Sequence, residues 1–518
     1  MALLETDDQL TIVNRSLEYR INKKLIRKVP YFEKMLNLGL KESKENKVEL
    51  DFDEKAFKRF LNWIQIGCIF IEMDFVVNLC NMADYFGLSD CLIDDCFTYL
   101  HHNFSIKHLP VIIPQVTSTS KLINSGTLNA FICRYFTKIV NTPVWLNYPV
   151  ETIKYICALD LMIHSEYQVF DVIMRWATFK ADSRKSYLKE LLKLVRYCHL
   201  EEKDLSKIQE NEFFRSSCLE PELCSRKKAN CNCNIDRTKQ GCFVVIEELS
   251  DKNLRLKVFD SDFSSLVNQV MQPDESMPLF ILHNEHISDI SFDSGRKMIR
   301  IDWKQNTYRL FDFSAYKSYH RIIHRCIHDA QQASGECHVR IDKCEMSEYE
   351  YSFLEVNEKF ILVGNESAYF NCWKNPSTGD INKLSDDNRH TYLTTILDNR
   401  IYMLTHNFEF FQFNIDSDLE FKKIKLESFK ENLQFDNLLL TSKQVNDDRV
   451  LLIDKTTKDV LCFNVNTQEW SSIGRIIDCK GKPTDGQKES NVLKTFTFGF
   501  VSTDSINLCL ERNLNAVK

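Results

Sequence analysis

The chain has 518 residues, with 36 Phe but only 13 Gly and 10 Pro. Average usage would give about 36 Gly and about 26 Pro, so the composition excludes collagen-like, flexible-linker and Pro-rich low-complexity proteins. The 66 basic and 73 acidic residues leave a net charge of −7, which provides no global attraction to nucleic acid or to an anionic membrane.

So few glycines allow the phosphate-binding motifs to be checked one by one. No three glycines make a G-x-G-x-x-G. Gly481 and Gly486 in GKPTDGQK have Walker A spacing, but Gln487 stands where the phosphate-binding Lys is required, so the segment reads as a turn. The start, MALLETDDQL, lacks a basic end and an apolar core, and there is no run of 18 or more apolar residues. The expectation is a soluble, intracellular chain without membrane partners, placed in the cytoplasm or, alternatively, the nucleus. The 19 cysteines are scattered through apolar runs, as free buried thiols are. The densest group, Cys218, Cys224, Cys231, Cys233 and Cys242, lacks paired C-x-x-C knuckles and reads as linker thiols rather than zinc ligands.

Taken in order, LTIVN, LEYRIN and KVELDF read as strands. EKAFKRFLNWIQIG places Phe57, Phe60, Leu61 and Ile64 on one helical face and stops at Gly67; DFVVNLCNMADYFG does the same with Val76, Leu79, Cys80 and Ala83, stopping at Gly87. The order and spacing of VPYFEKMLNLGLKESKENKVELD, AFKRFLNWIQIGCIFI and VVNLCNMADYFGLSDCLIDDCFTYL resemble the BTB/POZ domain over residues 7–103. The family's His-Arg pair is missing around Ile21, Asn22 and Lys23, which removes the charged pocket of its transcription-factor members.

Residues 104–215 read as all helix. In SEYQVFDVIMRWATFKADSRKSYLKELLKLVRYCHL, Ser165 and Glu166 are polar start signals, and Val169, Phe170, Ile173, Trp176 and Ala177 form one apolar stripe. The run resembles the BACK domain, carried by Glu166, Val169, Phe170, Trp176, Arg184, Leu191, Leu192, Val195 and Arg196. These are packing and capping residues, which identify a fold and not a chemistry. Residues 216–240 are polar and aperiodic, and read as a linker.

From 241 to 518 the pattern turns to short strands. An apolar run, a polar turn and a second apolar run recur, most clearly in VLLIDKTTKDVLCFNVNTQEW and IYMLTHNFEFFQFNIDSDLEF. Copies start near 242, 298, 360, 401, 450 and 496, mostly near the spacing of propeller blades, about 40 to 50 residues. Following a BTB and BACK pair, this resembles a kelch β-propeller with worn repeats: the Gly-Gly pair of each blade is absent, and the tail survives best from Asn466 to Trp470. The fold class expected is therefore multidomain, with an α+β BTB/POZ domain, an all-α BACK domain and an all-β, six-bladed kelch-like propeller.

No H-E-x-x-H, G-x-S-x-G or C-x-x-C occurs. His320, His324 and His328 share a face if their segment is helical, which suits either a metal or a partner-facing helix. The BTB resemblance implies a binding site instead. Leu40 and Glu42, in LGLKES, match the hydrophobic-x-Glu motif that engages cullin-3, with an apolar anchor in a pocket and a carboxylate at its rim. The BACK-like helix pair around HLPVIIPQV and LNAFICRYF is where the family completes that surface. Only about eight residues precede the first strand, too few for the family's exchanged N-terminal segment, so a homodimer is expected through the remaining BTB face.

The resemblance implies a non-enzymatic substrate receptor of a cullin-3 ubiquitin ligase, with no cofactor and no metal. BACK would act as a rigid spacer, and unassigned propeller loops would take the protein substrate. The alternative is an actin or cytoskeletal scaffold. A BTB transcription regulator is disfavoured by the absence of a two-Cys two-His finger or basic stripe.

Overall fold

A computed structural model describes residues 8–38, 41–88, 92–216, 235–249, 251–293, 295, 297–312, 323–328, 351–356, 359–364, 368–370, 392–414, 421–424, 433–475 and 492–516. The first domain has a three-stranded sheet, with β1 (Gln9–Asn14) between antiparallel β2 (Leu17–Asn22) and parallel β3 (Lys47–Leu50). Around it lie α1 (Lys23–Ile26), α2 (Pro30–Asn37), α3 (Lys41–Glu45), α4 (Glu54–Ile66), α5 (Val76–Tyr85) and α6 (Leu92–Asn103). The expected stripe of α4 is buried, and the helix has a cap at each end. The Asp53 side chain accepts from Ala56 N at 2.9 Å, and Gly67 terminates the helix at φ 81°, a conformation that a Cβ disfavours.

The helical domain follows as α7 (Leu109–Ile112), α8 (Ser125–Val140), α9 (Val150–Ala158), α10 (Glu166–Phe179), α11 (Ala181–Arg184), α12 (Leu188–Leu192), α13 (Glu202–Glu210) and α14 (Glu212–Ser216). Ser165 and Gln168 form a capping box at the start of α10. Two buried indoles lock this helix to its neighbours: Trp176 Nε1 donates to Tyr148 O at 3.0 Å, and Trp145 Nε1 to Val172 O at 3.1 Å. Trp176 and Trp145 thus satisfy their polar atoms while supplying core volume.

The C-terminal half is a stack of β sheets of the propeller class. Its strands are β4 (Gly241–Glu248), β5 (Leu254–Phe259), β6 (Ser265–Pro273), β7 (Ile287–Phe292), β8 (Lys297–Asp302), β9 (Thr307–Asp312), β10 (Tyr351–Val356), β11 (Lys359–Gly364), β12 (Ala368–Phe370), β13 (Tyr392–Leu397), β14 (Arg400–Thr405), β15 (Phe410–Asn414), β16 (Phe421–Ile424), β17 (Leu438–Ser442), β18 (Arg449–Asp454), β19 (Asp459–Asn464), β20 (Glu469–Arg475) and β21 (Val492–Phe500), and α15 (Thr503–Ala516) closes the series.

The multidomain class stands, and the described strands do not give each of the six sequence copies a sheet of its own. The described strands of this half form four sheets: β10 to β12, β13 to β16, β17 to β20, and one of seven strands in the order β21-β4-β5-β6-β9-β8-β7. The sixth sequence copy builds no blade of its own; its strand β21 runs antiparallel to β4. The second copy is joined to the first where β6 pairs in parallel with β9. The seven-stranded sheet curls until β21 meets β7: a Cβ on Gly499 would lie 3.1 Å from Ile290. Val244, Leu256, Ile299 and Trp303 are among the residues packed inside the curl, together with Cys509 of α15. Its outer face packs on β17 to β20, and those strands in turn pack on β13 to β16.

Candidate interaction surfaces

Glu42 sits on α3, a five-residue helix with no buried residue; Leu40 lies outside the described residues. Just before it, Leu38 at the end of α2 is 70% exposed. Beside this stretch stand two tyrosines. Tyr31 on α2 and Tyr85 on α5 have ring centroids 5.2 Å apart, and the core behind them is aromatic, with Phe60 stacked on Phe86 at 4.9 Å. Burial, the hydrogen bond to Tyr85 and then the charges of Tyr85 and Glu42 push the Tyr31 phenol up to about 12. The Glu42 charge is the smallest of these influences on Tyr31, and Tyr85 is itself 53% exposed. An apolar edge, two aromatic hydroxyl-bearing rings and an acid make a surface suited to a protein partner.

Sequence reading missed Tyr31 and Tyr85. A signal was present for Tyr85, which falls off the apolar stripe of α5 although it is a large aromatic. Farther along, Ile66 and Phe70 are each 72% exposed while Ile69 and Ile71 pack on the core, so the segment after α4 turns alternate apolar side chains outward.

The propeller offers a second surface, defined by where the head stops. The head meets the end at which β4 begins and β13, β17 and β21 finish. His164 lies 5.1 Å from Phe500, Gln240 Nε2 donates to Leu161 O at 2.9 Å, and Lys443 adds its charge to the burial that lowers the His164 pKa to about 4. The far end carries the turns at 249–253, 405–409 and 455–458, and these include the exposed Asp251, Lys252, Asn407, Thr456 and Thr457.

Other candidates resolve as follows. His320 lies outside the described residues; the backbone of His324–His328 forms one π turn, and neither imidazole is described. Among the described residues there is no group of three or more His, Cys, Asp or Glu that could hold a metal. Cys218, Cys224, Cys231 and Cys233 lie outside the described residues, whereas Cys242 is a buried free thiol in β4. Among the described residues no helix is long and apolar enough to cross a membrane. Of the stretch read as a linker, 217–234 is outside the described residues, but 237–240 is a short 3-10 helix whose Arg237 and Gln240 are buried against the helical domain.

An α+β domain on a helical domain on a β-propeller defines the multidomain BTB, BACK and propeller class of protein. The family model for BACK, "BTB And C-terminal Kelch", matches residues 117–210. Curated relatives include Kelch-like protein 9 of Mus musculus, 25% identical over 190 residues (36% of this chain and 30% of the relative), and Kelch-like protein 40 of Xenopus laevis, 25% identical over 173 residues (33% and 28%). Kelch-like protein 6 of Homo sapiens is 24% identical over 168 residues (32% and 27%). The chain thus matches less than a third of the length of these relatives. With the fold, these likenesses give the chain a BACK domain and make it similar to the Kelch-like proteins.

Proposed function

We propose that this chain is the substrate-receptor adaptor of a cullin-3 RING E3 ubiquitin ligase. The head binds the cullin through Leu40 and Glu42, two copies pair through their BTB faces, and the propeller recruits a protein substrate at its far end. The chain makes and breaks no bond; it brings the substrate to the ligase's transferring enzyme, and the rate gain is one of proximity. Its place of action is the cytoplasm.

The observation that carries this reading is the setting of Glu42: a carboxylate on a short exposed helix beside Tyr31 and Tyr85, following the exposed Leu38. Ile66 and Phe70 supply the apolar surface that a second copy would cover. The test is capture of purified cullin-3 by the wild-type chain and by a Leu40→Ala, Glu42→Ala variant. Capture by the wild type and loss in the variant is the expected result. Equal capture by both would remove Leu40 and Glu42 from the site, and no capture by the wild type would remove the ligase assignment.

A further inference from the structure

We infer that the helical head and the propeller form one rigid arm, clamped by three arginines, in which the last turn of α6 is engaged by the chain's own propeller. This does not depend on what the head or the propeller binds.

The first arginine reaches from the helical domain into the seven-stranded sheet. Arg134 of α8 donates to Ile287 O at the start of β7 and contacts the buried His283 ring, with Nη1 2.8 Å from Nε2 and 3.3 Å from Nδ1. His283 Nε2 is 3.1 Å from Asp289 Oδ2, and Asp289 also receives Arg300 through two bonds of 2.7 and 2.8 Å. Burial and the nearby Arg134 lower the His283 pKa to about 4, so its ring is neutral at neutral pH.

The second arginine reaches the other way. Arg325, from the chain between β9 and β10, donates to His101 O at 2.5 Å and to His102 O. These are carbonyls of the last turn of α6, where a helix leaves acceptors unpaired and favours a cation. Next to them Phe280 stacks on the His101 ring at 3.8 Å and meets Phe97 at 6.0 Å. The third, Arg237, enters the helical domain immediately before β4. It pairs with Glu166 and donates to Cys157 O, Leu159 O and Leu194 O.

Between these clamps the apolar surface is continuous. Ile281, Met298, Ile323, Cys326 and Ile327 belong to the same buried core as the helices. Domains of one chain move relative to each other by default unless their interface is large and apolar. Opening this junction would both expose that core and strip Arg134, Arg237 and Arg325 of their acceptors.

Hydrogen exchange on the full-length chain tests the clamp, in the wild type and in Arg134→Ala, Arg325→Ala and Phe280→Ala variants. The wild type should protect residues 279–287 and the last turn of α6. Each variant should speed exchange roughly tenfold or more at both places together, with β13 to β20 unchanged. Wild-type exchange at the rate of an open loop over 279–287 would overturn the inference, as would variants that loosen one side and leave the other protected. Should the arginine variants fail to fold, the wild type and Phe280→Ala, which removes only a partly exposed ring, decide the matter.

Discussion

Arg237 and Glu166, 71 positions apart, form an ion pair in which both side chains are fully buried. Arg237 Nε lies 2.7 Å from Glu166 Oε1, Nη2 bonds Oε2, and Oε2 also accepts from Arg196 N at 3.1 Å. Removing one partner strands the other charge in the core, which typically costs about 3–5 kcal/mol. Arg237→Ala should therefore lower the unfolding free energy in urea by about that amount, and an unchanged midpoint would contradict the assignment.

The scarce glycines give a paired prediction. A Cβ on Gly241 would lie 2.5 Å from the edge of the Phe498 ring, whereas one on Gly126 would meet the Glu285 carboxylate, the far end of a flexible side chain. Gly241→Ala should cost about 1–3 kcal/mol by overpacking. Gly126→Ala, in α8, should be neutral or gain up to about 1 kcal/mol from helix preference. Thermal melts of the two variants, read against the wild type, check both directions.

Acid should weaken the fold between pH 6.5 and 4. His101, His108, His164 and His283 are all lowered to about 4, chiefly by burial. The unfolded chain, with ordinary histidines near 6.5, then binds more protons than the folded chain across this window. Their stabilisation is complete above pH 6.5 and is lost as the pH falls toward 4. At His283 the added charge would stand between Arg134 and Arg300, with Asp289 opposing. Tm should fall steadily over that interval, and His283→Gln should flatten the slope.

Local patterns made much of the head legible. Phe57, Phe60, Leu61 and Ile64 in α4, and Val169, Phe170 and Trp176 in α10, are spaced by the helix they form, and Asp53, Gly67 and Ser165 cap within a few residues. The strand copies were legible for the same reason, but their assembly into sheets was not. The pairing of Phe498 with Phe243 joins residues 255 positions apart, and the β6 to β9 link rests on two residue pairs, so neither leaves a periodic trace. Arg237 was hidden as one cation in a polar stretch, because only the folded helical domain supplies its acceptors. Of the candidate site, Glu42 was readable from a short motif, while the tyrosines beside it depend on how α2 packs on α5.

Calorimetric titration of the full-length chain with the N-terminal repeat of cullin-3 tests the adaptor assignment most directly. The account predicts saturable binding at one cullin per chain with Kd near or below about 1 μM, weakened at least roughly tenfold, or about 1.4 kcal/mol, in Glu42→Ala. Absence of binding by the folded wild-type chain at about 100 μM cullin would contradict it.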